Sequence, residues 1–371
     1  MSRTATLLCL LSAVAAGATL LTATPALAAP PAPQDTTATP GTASTSTVTT
    51  LWSGPVRVQR GAEWVPVDLT LAAGPDGTVR PVSAPQDLTL TSTGPSVRFT
   101  DGGSAAVPWP TPLPAPRLDG PTATYPQAAP GYDLVVEATR AGFVASVRRD
   151  GTPPAPAPQL VLQRTAATHQ AMTEAESSVD RVVAAAPPTS TAPVPFDTTT
   201  QTTIRTTDSS GDPDLRIGSY DGTQAARSYL AFDLTPLGSA PAAAPMTAPI
   251  NRATLDLYQT WTASCRPTAW EVWSLPAGSR VGPALRWANQ PSGEKRWATS
   301  TDTRGNPAGG AACAAGWSSV DVTDLVQAWT AAGATSGTVM LKAADETDPQ
   351  SWKRFASAET ATVPHLTVTR G

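Results

Sequence analysis

Short runs of alternating apolar and polar residues, broken by turn residues, are the feature that most restricts the fold of this chain. From Leu51 onward, apolar side chains recur at every second position, as at Val65, Val67 and Leu69. The breaks between runs carry glycine beside arginine, aspartate or proline. Alternation with a period of two buries one face of a strand, whereas an amphipathic helix needs a period near 3.6. The pattern predicts an all-β fold.

These runs form two regions separated by a segment rich in proline and alanine. Residues 51–150 predict a small all-β domain, and residues 196–371 predict nine more strands, which favour a β-sandwich or jelly roll. Residues 151–195 predict an extended spacer, within which residues 165–186 have the apolar spacing of a short helix. A length of about 340 residues after export also suggests two domains.

One helix interrupts the C-terminal strands. Polar N-cap candidates occur at residues 321–324, and Leu325, Val326 and Trp329 then form an apolar stripe. Gly333 supplies a C-terminal stop. This combination predicts a short helix that packs on the sandwich.

The first 28 residues have the pattern of a cleavable secretory signal. Arg3 supplies a positive charge, residues 6–21 are apolar and uncharged, and residues 26–28 form a small-x-small cleavage site. The apolar run is shorter than the roughly 20 residues that span a bilayer, which disfavours the alternative of an uncleaved anchor. We therefore expect a secreted, extracellular protein, free of the membrane after cleavage. Residues 29–50 predict a disordered leader.

Cysteine usage agrees with export. Cys9 lies in the signal, which leaves Cys265 and Cys313 as an even pair in an oxidising compartment, and the pair predicts one disulfide. Two free thiols or half of a metal site are the alternatives. A zinc site would need more ligands, and the only histidines, His169 and His365, lack close ligand spacing. No metal and no cofactor are predicted.

Charge argues against a nucleic-acid partner. Loss of Arg3 from 25 basic residues leaves 24 against 29 acidic residues, a net charge of −5. A phosphate-binding surface needs clustered Lys and Arg, and here these residues are scattered.

The sequence also contains no recognisable set of catalytic residues. His169 lies in the spacer and His365 begins the last strand, so a Ser-His-Asp triad is difficult to build. Two carboxylates suffice for a glycosidase, but no Asp or Glu lies in a recognisable catalytic motif. Asp212, Asp214 and Asp221 could ligate calcium, yet their spacing differs from that of an EF-hand, and turn-forming aspartates are the preferred interpretation. The chain is predicted not to be an enzyme.

Four stretches of the C-terminal region occur in a characteristic order. They are DLRIG (214–218) with RSYLAFDL (227–234), INRATLDLY (250–258), LRWANQP (285–291), and VDVTDLVQAW (320–329) with FASAE (355–359). Together they resemble the secreted modules called DNRLRE domains, which overlap carbohydrate-binding module family 96. The resemblance implies a jelly-roll β-sandwich, secretion, a non-catalytic role and binding of polysaccharide.

Tryptophan is concentrated in this region, where eight of the 11 lie. Indole faces stack on the apolar faces of sugar rings, and exposed Trp is costly without a purpose. Trp261, Trp297 and Trp352 lie in polar surroundings and are predicted to form a ligand-binding face, whose flanking Lys and Arg would suit an acidic glycan. Trp287 and Trp329 are predicted to be packing residues. The two competing hypotheses are a polysaccharide-binding protein of a cell wall or extracellular matrix and a structural or adhesive surface protein without a sugar site.

Overall fold

The computed structural model describes residues 36–39, 46–151, 156–165, 181–186, 194–238 and 249–371. Within these ranges the chain is all-β with two short α-helices, so the predicted fold class is confirmed. The predicted signal, most of the leader and the middle of the spacer lie outside the described residues. No helix in the described part has the length and apolarity needed to cross a membrane.

The N-terminal region contains a β-ribbon and two larger antiparallel sheets. The first fifteen strands along the chain are β1 (Thr36–Thr39), β2 (Ser46–Trp52), β3 (Arg57–Arg60), β4 (Glu63–Pro66), β5 (Asp68–Ala73), β6 (Val79–Ser83), β7 (Asp87–Thr91), β8 (Gly94–Arg98), β9 (Ser104–Ala106), β10 (Arg117–Asp119), β11 (Thr122–Ala129), β12 (Tyr132–Ala138), β13 (Gly142–Arg149), β14 (Gln163–Arg164) and β15 (Arg181–Ala185), of which β3 to β15 form the N-terminal region. Strands β3 and β4 form the ribbon, the order β14-β9-β8-β7-β6-β5 forms one sheet, and β10-β11-β12-β13-β15 forms the other. Leu88 and Leu90 from one sheet and Tyr125, Leu134 and Phe143 from the other share a single buried core.

Strand β15 occupies part of the segment for which the sequence predicts a short helix. Its residues pair with β13, from Gly142 opposite Ala185 to Ser146 opposite Arg181. Val182 is only 3% exposed, because the strand adds to the edge of the sheet and covers the shared core. Pairing with a distant strand therefore overrides the local helical spacing.

The C-terminal region contains ten strands and both helices. These elements are β16 (Phe196–Gln201), β17 (Asp214–Ser219), β18 (Ala225–Asp233), α1 (Thr235–Gly238), β19 (Ile250–Thr262), β20 (Trp270–Ser274), β21 (Lys295–Ser300), β22 (Gly316–Asp321), α2 (Thr323–Ala331), β23 (Ser336–Ala343), β24 (Lys353–Ala356) and β25 (His365–Arg370), with 3₁₀ turns at Trp287–Asn289, Pro307–Cys313 and Pro349–Ser351.

These strands form a curled antiparallel sheet whose two halves enclose the second core. One half has the order β1-β2-β25-β19-β24-β17, with β22 also paired to β19, and the other has the order β18-β23-β20-β21, with β16 also paired to β18. Strand β17 joins them by pairing with both β24 and β18. The core contains Leu230, Phe232, Leu255, Trp270 and Leu366, each less than 1% exposed. This arrangement is consistent with the predicted β-sandwich.

Strand β2 belongs to this second core, although its sequence precedes the whole N-terminal region. It pairs with β25 from Thr47 opposite Arg370 to Trp52 opposite His365. Leu51 on β2 is fully buried in the core. Residues 46–50, which are predicted to be the end of a disordered leader, are therefore ordered by pairing with the last strand of the chain. The N-terminal sheets are inserted between β2 and β16.

Helix α2 confirms the predicted helix. Leu325 and Val326 are buried on its inner side, and Trp329 packs on the same core. The Asp321 carboxylate accepts a 2.9 Å hydrogen bond from the backbone N–H of Thr323 and so satisfies a free donor at the helix start.

Cys265 and Cys313 form the predicted disulfide, with a Cα–Cα distance of 5.9 Å. Cys265 follows β19, and Cys313 ends the 3₁₀ turn before β22. The bond therefore links the segment after β19 to the segment before β22, and these two strands pair with each other.

Candidate functional site

The outer side of the sheet around β19 carries a different set of side chains from the inner side. Along β19, Leu255 and Leu257 point into the core, whereas Asp256 and Tyr258 lie on the opposite face. This division follows from the period-two geometry of a strand. The same alternation places Trp317 of β22 on the outer face.

Strand register brings these outer residues into rows across the sheet. Trp52 lies opposite His365, His365 opposite Asp256, and Asp256 opposite Ser319. In the adjacent row Tyr258 lies opposite Trp317. The rows thus combine residues of β2, β25, β19 and β22. We call Trp52, Tyr258, Trp317 and His365 the outer aromatic face.

The four rings of the outer aromatic face are in contact. His365 lies between two indoles, with ring centroids 4.5 Å from Trp52 and 5.1 Å from Trp317. Trp317 also meets Tyr258 edge to face at 5.5 Å. The Trp317 side chain is the most accessible of the four, with the residue 41% exposed. An exposed indole held in a fixed orientation by its neighbours can stack on an apolar ligand surface at little cost in entropy.

Asp256 is the polar centre of this surface. One carboxylate oxygen, Oδ2, accepts hydrogen bonds from the hydroxyls of Thr254 at 3.1 Å and Thr367 at 3.0 Å, and Oδ1 accepts from the Ser319 hydroxyl. His365 Nε2 lies 3.7 Å from Oδ2. These contacts hold the carboxylate in one orientation beside the aromatic rings.

The same geometry does not supply an activated nucleophile. Ser319 donates to Asp256 instead of His365, and His365 Nδ1 lies 3.0 Å from the backbone oxygen of Val363. A serine nucleophile needs an imidazole within hydrogen-bonding reach to take its proton. The hydroxyl of Ser319 and the carboxylate of Asp256 are thus arranged for hydrogen bonding and not as a nucleophile with its base.

Trp261 is the one predicted ligand-binding tryptophan that lies well exposed on the same side of the sheet. It is 40% exposed and lies opposite Arg354 of β24, whose guanidinium carbon is 5.7 Å from the indole centroid. Trp261 lies three positions after Tyr258 along β19, and the register shift between Gln259 and Trp261 keeps both side chains on the outer face. Trp261 therefore extends the outer aromatic face towards a positive charge.

Trp297 lies elsewhere, on β21 at the edge of the other half of the sheet. The ring is partly buried against the core, and Lys295 Nζ lies 3.4 Å from its centroid. Trp297 and Trp261 are therefore on different halves of the sandwich.

Trp352 is only 2% exposed and follows the turn at Pro349–Ser351. Its ring meets Tyr220 edge to face at 5.3 Å. Its backbone oxygen accepts a hydrogen bond from the N–H of Ala263. The structure thus gives Trp352 no exposed ring face and does not bring the three predicted tryptophans onto one surface.

Other tryptophans have packing roles. Trp329 packs on the core so closely that a Cβ added at Gly337 would lie 2.5 Å from its ring. The guanidinium carbon of Arg227 lies over the Trp287 ring, 5.0 Å from its centroid. Trp270 is fully buried in the main core, whereas Trp273 packs on the opposite side of the sheet.

Four residues of this surface are not predicted as site residues from the sequence: Trp52, Asp256, Tyr258 and Trp317. A signal for three of them is present, because alternation along the predicted strands at residues 253–259 and 317–322 places Asp256, Tyr258 and Trp317 opposite the apolar face. Trp52 had no such signal, since its pairing partner lies at the other end of the chain.

The described residues contain no group of three His, Cys, Asp or Glu side chains arranged to hold a metal ion. Asp221 accepts hydrogen bonds from the backbone N–H groups of Thr223 and Gln224, which is the geometry of a turn. Asp212 pairs with Arg216 at 2.7 Å. Burial alone would raise the pKa of Asp212, but the charges of Arg216 and Arg181, together with hydrogen bonds from Asp214 and Arg216, lower it.

Residues 188–370 match carbohydrate-binding module family 96. No curated protein is significantly similar in sequence. Among solved structures, SGBP-B from a complex xyloglucan utilization locus in Bacteroides uniformis aligns at 10% identity with a TM-score of 0.19, over 91% of this chain and 97% of that chain. At that TM-score the alignment supports no inference about fold or ligand.

Proposed function

We propose that this chain, whose residues 188–370 form a module like those of carbohydrate-binding module family 96, binds polysaccharide through the outer aromatic face. The main support for this proposal is the row of contacting rings on four neighbouring strands, formed by Trp52, His365, Trp317 and Tyr258. We further propose that the protein is secreted, that it is not an enzyme, and that its polysaccharide belongs to a cell wall or extracellular matrix.

The chemistry of the face suits a pyranose ring. Trp317 offers an exposed indole surface for the apolar face of a sugar, and ring stacking contributes on the order of 1 to 3 kcal/mol by analogy with base stacking. Asp256 Oδ1 accepts one hydrogen bond from Ser319, and a carboxylate oxygen has two lone-pair sites. The remaining site is available to a sugar hydroxyl beside the indole.

The charges around the face indicate how an acidic glycan would lie. Asp256 repels a carboxylate placed directly above it, whereas Arg354 beside Trp261 attracts one. An acidic substituent is therefore directed towards the Trp261 end. Asp214 lies 3.5 Å from Arg354 and offsets part of its charge, so a neutral chain remains a ligand of the same face.

Secretion is supported by the signal pattern of residues 1–28 and by the Cys265–Cys313 disulfide. The non-catalytic role is supported by the family match and by the absence of a serine–imidazole pair on the outer aromatic face.

The test is a binding assay of the full chain against a panel of soluble and insoluble neutral and acidic polysaccharides. Trp317→Ala should weaken binding roughly 5- to 150-fold at 1.4 kcal/mol per decade. Leu118→Ala is the control, because Leu118 is 38% exposed but lies on β10, in a sheet that contributes no residue to the face. If no polysaccharide binds, or if both variants bind alike, the proposal is wrong and a structural or adhesive role is favoured.

A further inference from the structure

A cavity of about 470 Å³ lies in the N-terminal region, where the β6–β7 turn meets the ends of β3 and β8. Three arginines line it, and they come from three different strands: Arg60 of β3, Arg80 of β6 and Arg98 of β8. Its volume lies within the 300 to 1,000 Å³ range typical of small-ligand sites. None of these residues takes part in the outer aromatic face.

The cavity carries an excess of positive charge. Asp87 is the one carboxylate among its lining residues, against three guanidinium groups. Arg80 is partly balanced from outside by Asp76, at 3.7 Å. The Arg98 side chain forms no hydrogen bond or ion pair with any described residue, although Asp87 is its cross-strand neighbour. An anionic group entering the cavity therefore gains charge pairing that the protein itself does not supply.

The geometry favours a planar, singly charged anion. Arg60 Nη2 donates a 2.8 Å hydrogen bond to the Ala84 oxygen, which orients that guanidinium at the cavity wall. A guanidinium presents paired N–H donors that match the two oxygens of a carboxylate. Asp87 would repel a densely charged polyanion, but its oxygens can accept hydrogen bonds from hydroxyl groups.

The remaining walls suit a sugar ring. Pro81, Pro85 and Phe99 contribute apolar surface. Gln86 accepts a 3.1 Å hydrogen bond from the backbone N–H of Thr100 through Oε1, so its amide nitrogen is left as a donor. One anionic group, several hydroxyls and an apolar ring face are the features of a hexuronic acid.

We propose that this cavity binds a carboxylate-bearing sugar, specifically a hexuronic acid residue. The site does not depend on the function proposed for the C-terminal module. It would give the N-terminal region a ligand of its own and the chain two carbohydrate contacts.

The experiment titrates the full chain with galacturonic acid, short oligogalacturonates, galactose and inorganic phosphate, with binding followed by calorimetry and NMR. Galacturonic acid and its oligomers should bind, and galactose should not. Tighter binding of the oligomers would identify a polymer as the source of the ligand, and equal binding would identify the free sugar acid. Phosphate that binds as tightly as galacturonate would overturn the sugar assignment.

Arg98→Ala should weaken galacturonate binding about 10-fold or more, the usual cost of losing a charged hydrogen bond. Arg117→Ala is the matched control, because Arg117 is exposed on β10 and outside the cavity. Equal affinities of the two variants would overturn the proposal. Arg98→Ala should leave the binding of neutral polysaccharide by the outer aromatic face unchanged, so failure of this site and failure of the outer aromatic face are distinguishable.

Discussion

Trp52 and His365 lie opposite each other on adjacent strands, with ring centroids 4.5 Å apart, although they come from opposite ends of the chain. Strand β2 thus contributes both a core residue, Leu51, and a ring of the outer aromatic face. The family match begins at residue 188 and does not include this strand. The proposed binding surface therefore extends beyond the residues of the family match.

This topology leads to a prediction for Trp52. Trp52→Ala should weaken polysaccharide binding roughly 5- to 50-fold, because it removes a ring from the face and the support of His365. Val48→Ala is a control on the same strand, at a partly buried position away from the four rings. Affinity electrophoresis of the two variants at matched thermal midpoints checks the effect, and equal retardation would contradict it.

Trp352 should behave as a core residue. Because it is 2% exposed, Trp352→Ala should lower the free energy of unfolding by about 3 to 5 kcal/mol, the usual cost of removing a buried Trp. Trp261→Ala, at a position that is 40% exposed, should change stability by less than about 1 kcal/mol. Urea unfolding of both variants measures the difference. Weaker glycan binding by Trp352→Ala at unchanged stability would show instead that Trp352 contacts ligand.

The Cys265–Cys313 disulfide should contribute strongly to stability but not to binding. It spans a sequence separation of 48 residues, and a loop of that length is worth about 4 kcal/mol in the chain-entropy model. The double replacement Cys265→Ser and Cys313→Ser should lower the free energy of unfolding by up to that amount. Urea unfolding measures this loss, and a binding assay should give an unchanged affinity. Mass mapping of the unreduced protein that finds two free thiols would refute the bond.

A buried acidic pair of the C-terminal region, Asp197 and Glu359, lies near Arg140 of the N-terminal region and predicts a pH dependence. Burial raises the pKa of Asp197 to about 8, and the charge of Glu359 adds to the effect. Burial also raises the pKa of Glu359 to about 7, with the charge of Arg140 opposing it. Arg140 lies in the turn between β12 and β13, and its backbone N–H donates a 2.8 Å hydrogen bond to the backbone carbonyl oxygen of Glu359.

The direction of this pH dependence of stability follows from proton linkage. The folded protein holds protons on these carboxyls that the unfolded chain has already released, so their contribution to stability is lost as pH rises through about 7 to 8. The thermal midpoint should fall by several degrees between pH 6 and pH 8.5, and Asp197→Asn should flatten this fall. Buried Lys353, with a pKa lowered to about 8 by burial, acts in the opposite direction, so the comparison of parent and variant isolates Asp197. Parallel midpoint curves for the two proteins would contradict the prediction.

Elements whose signals are local could be predicted from the sequence. Helix α2 has an apolar stripe, polar residues at its start and Gly333 after its end, so its formation depends little on distant residues. The disulfide followed from the number of cysteines and the predicted compartment. Strand β19 could be predicted from its alternation, because every second residue from Ala253 to Leu257 is apolar and buried in the core.

The sequence by itself determined the strand periodicity, the short helix and the disulfide, because each depends on neighbouring residues or on residue counts. Only the tertiary structure decided that β2 and β15 are strands, that Trp352 is buried, and that Trp52, Tyr258, Trp317 and His365 share one surface. Strand pairing between distant segments sets these properties. The backbone of a strand can form hydrogen bonds with any other strand whose apolar and polar residues alternate in a compatible register. Packing of the whole core therefore decides which strands are neighbours, and so which side chains share a face of the sheet.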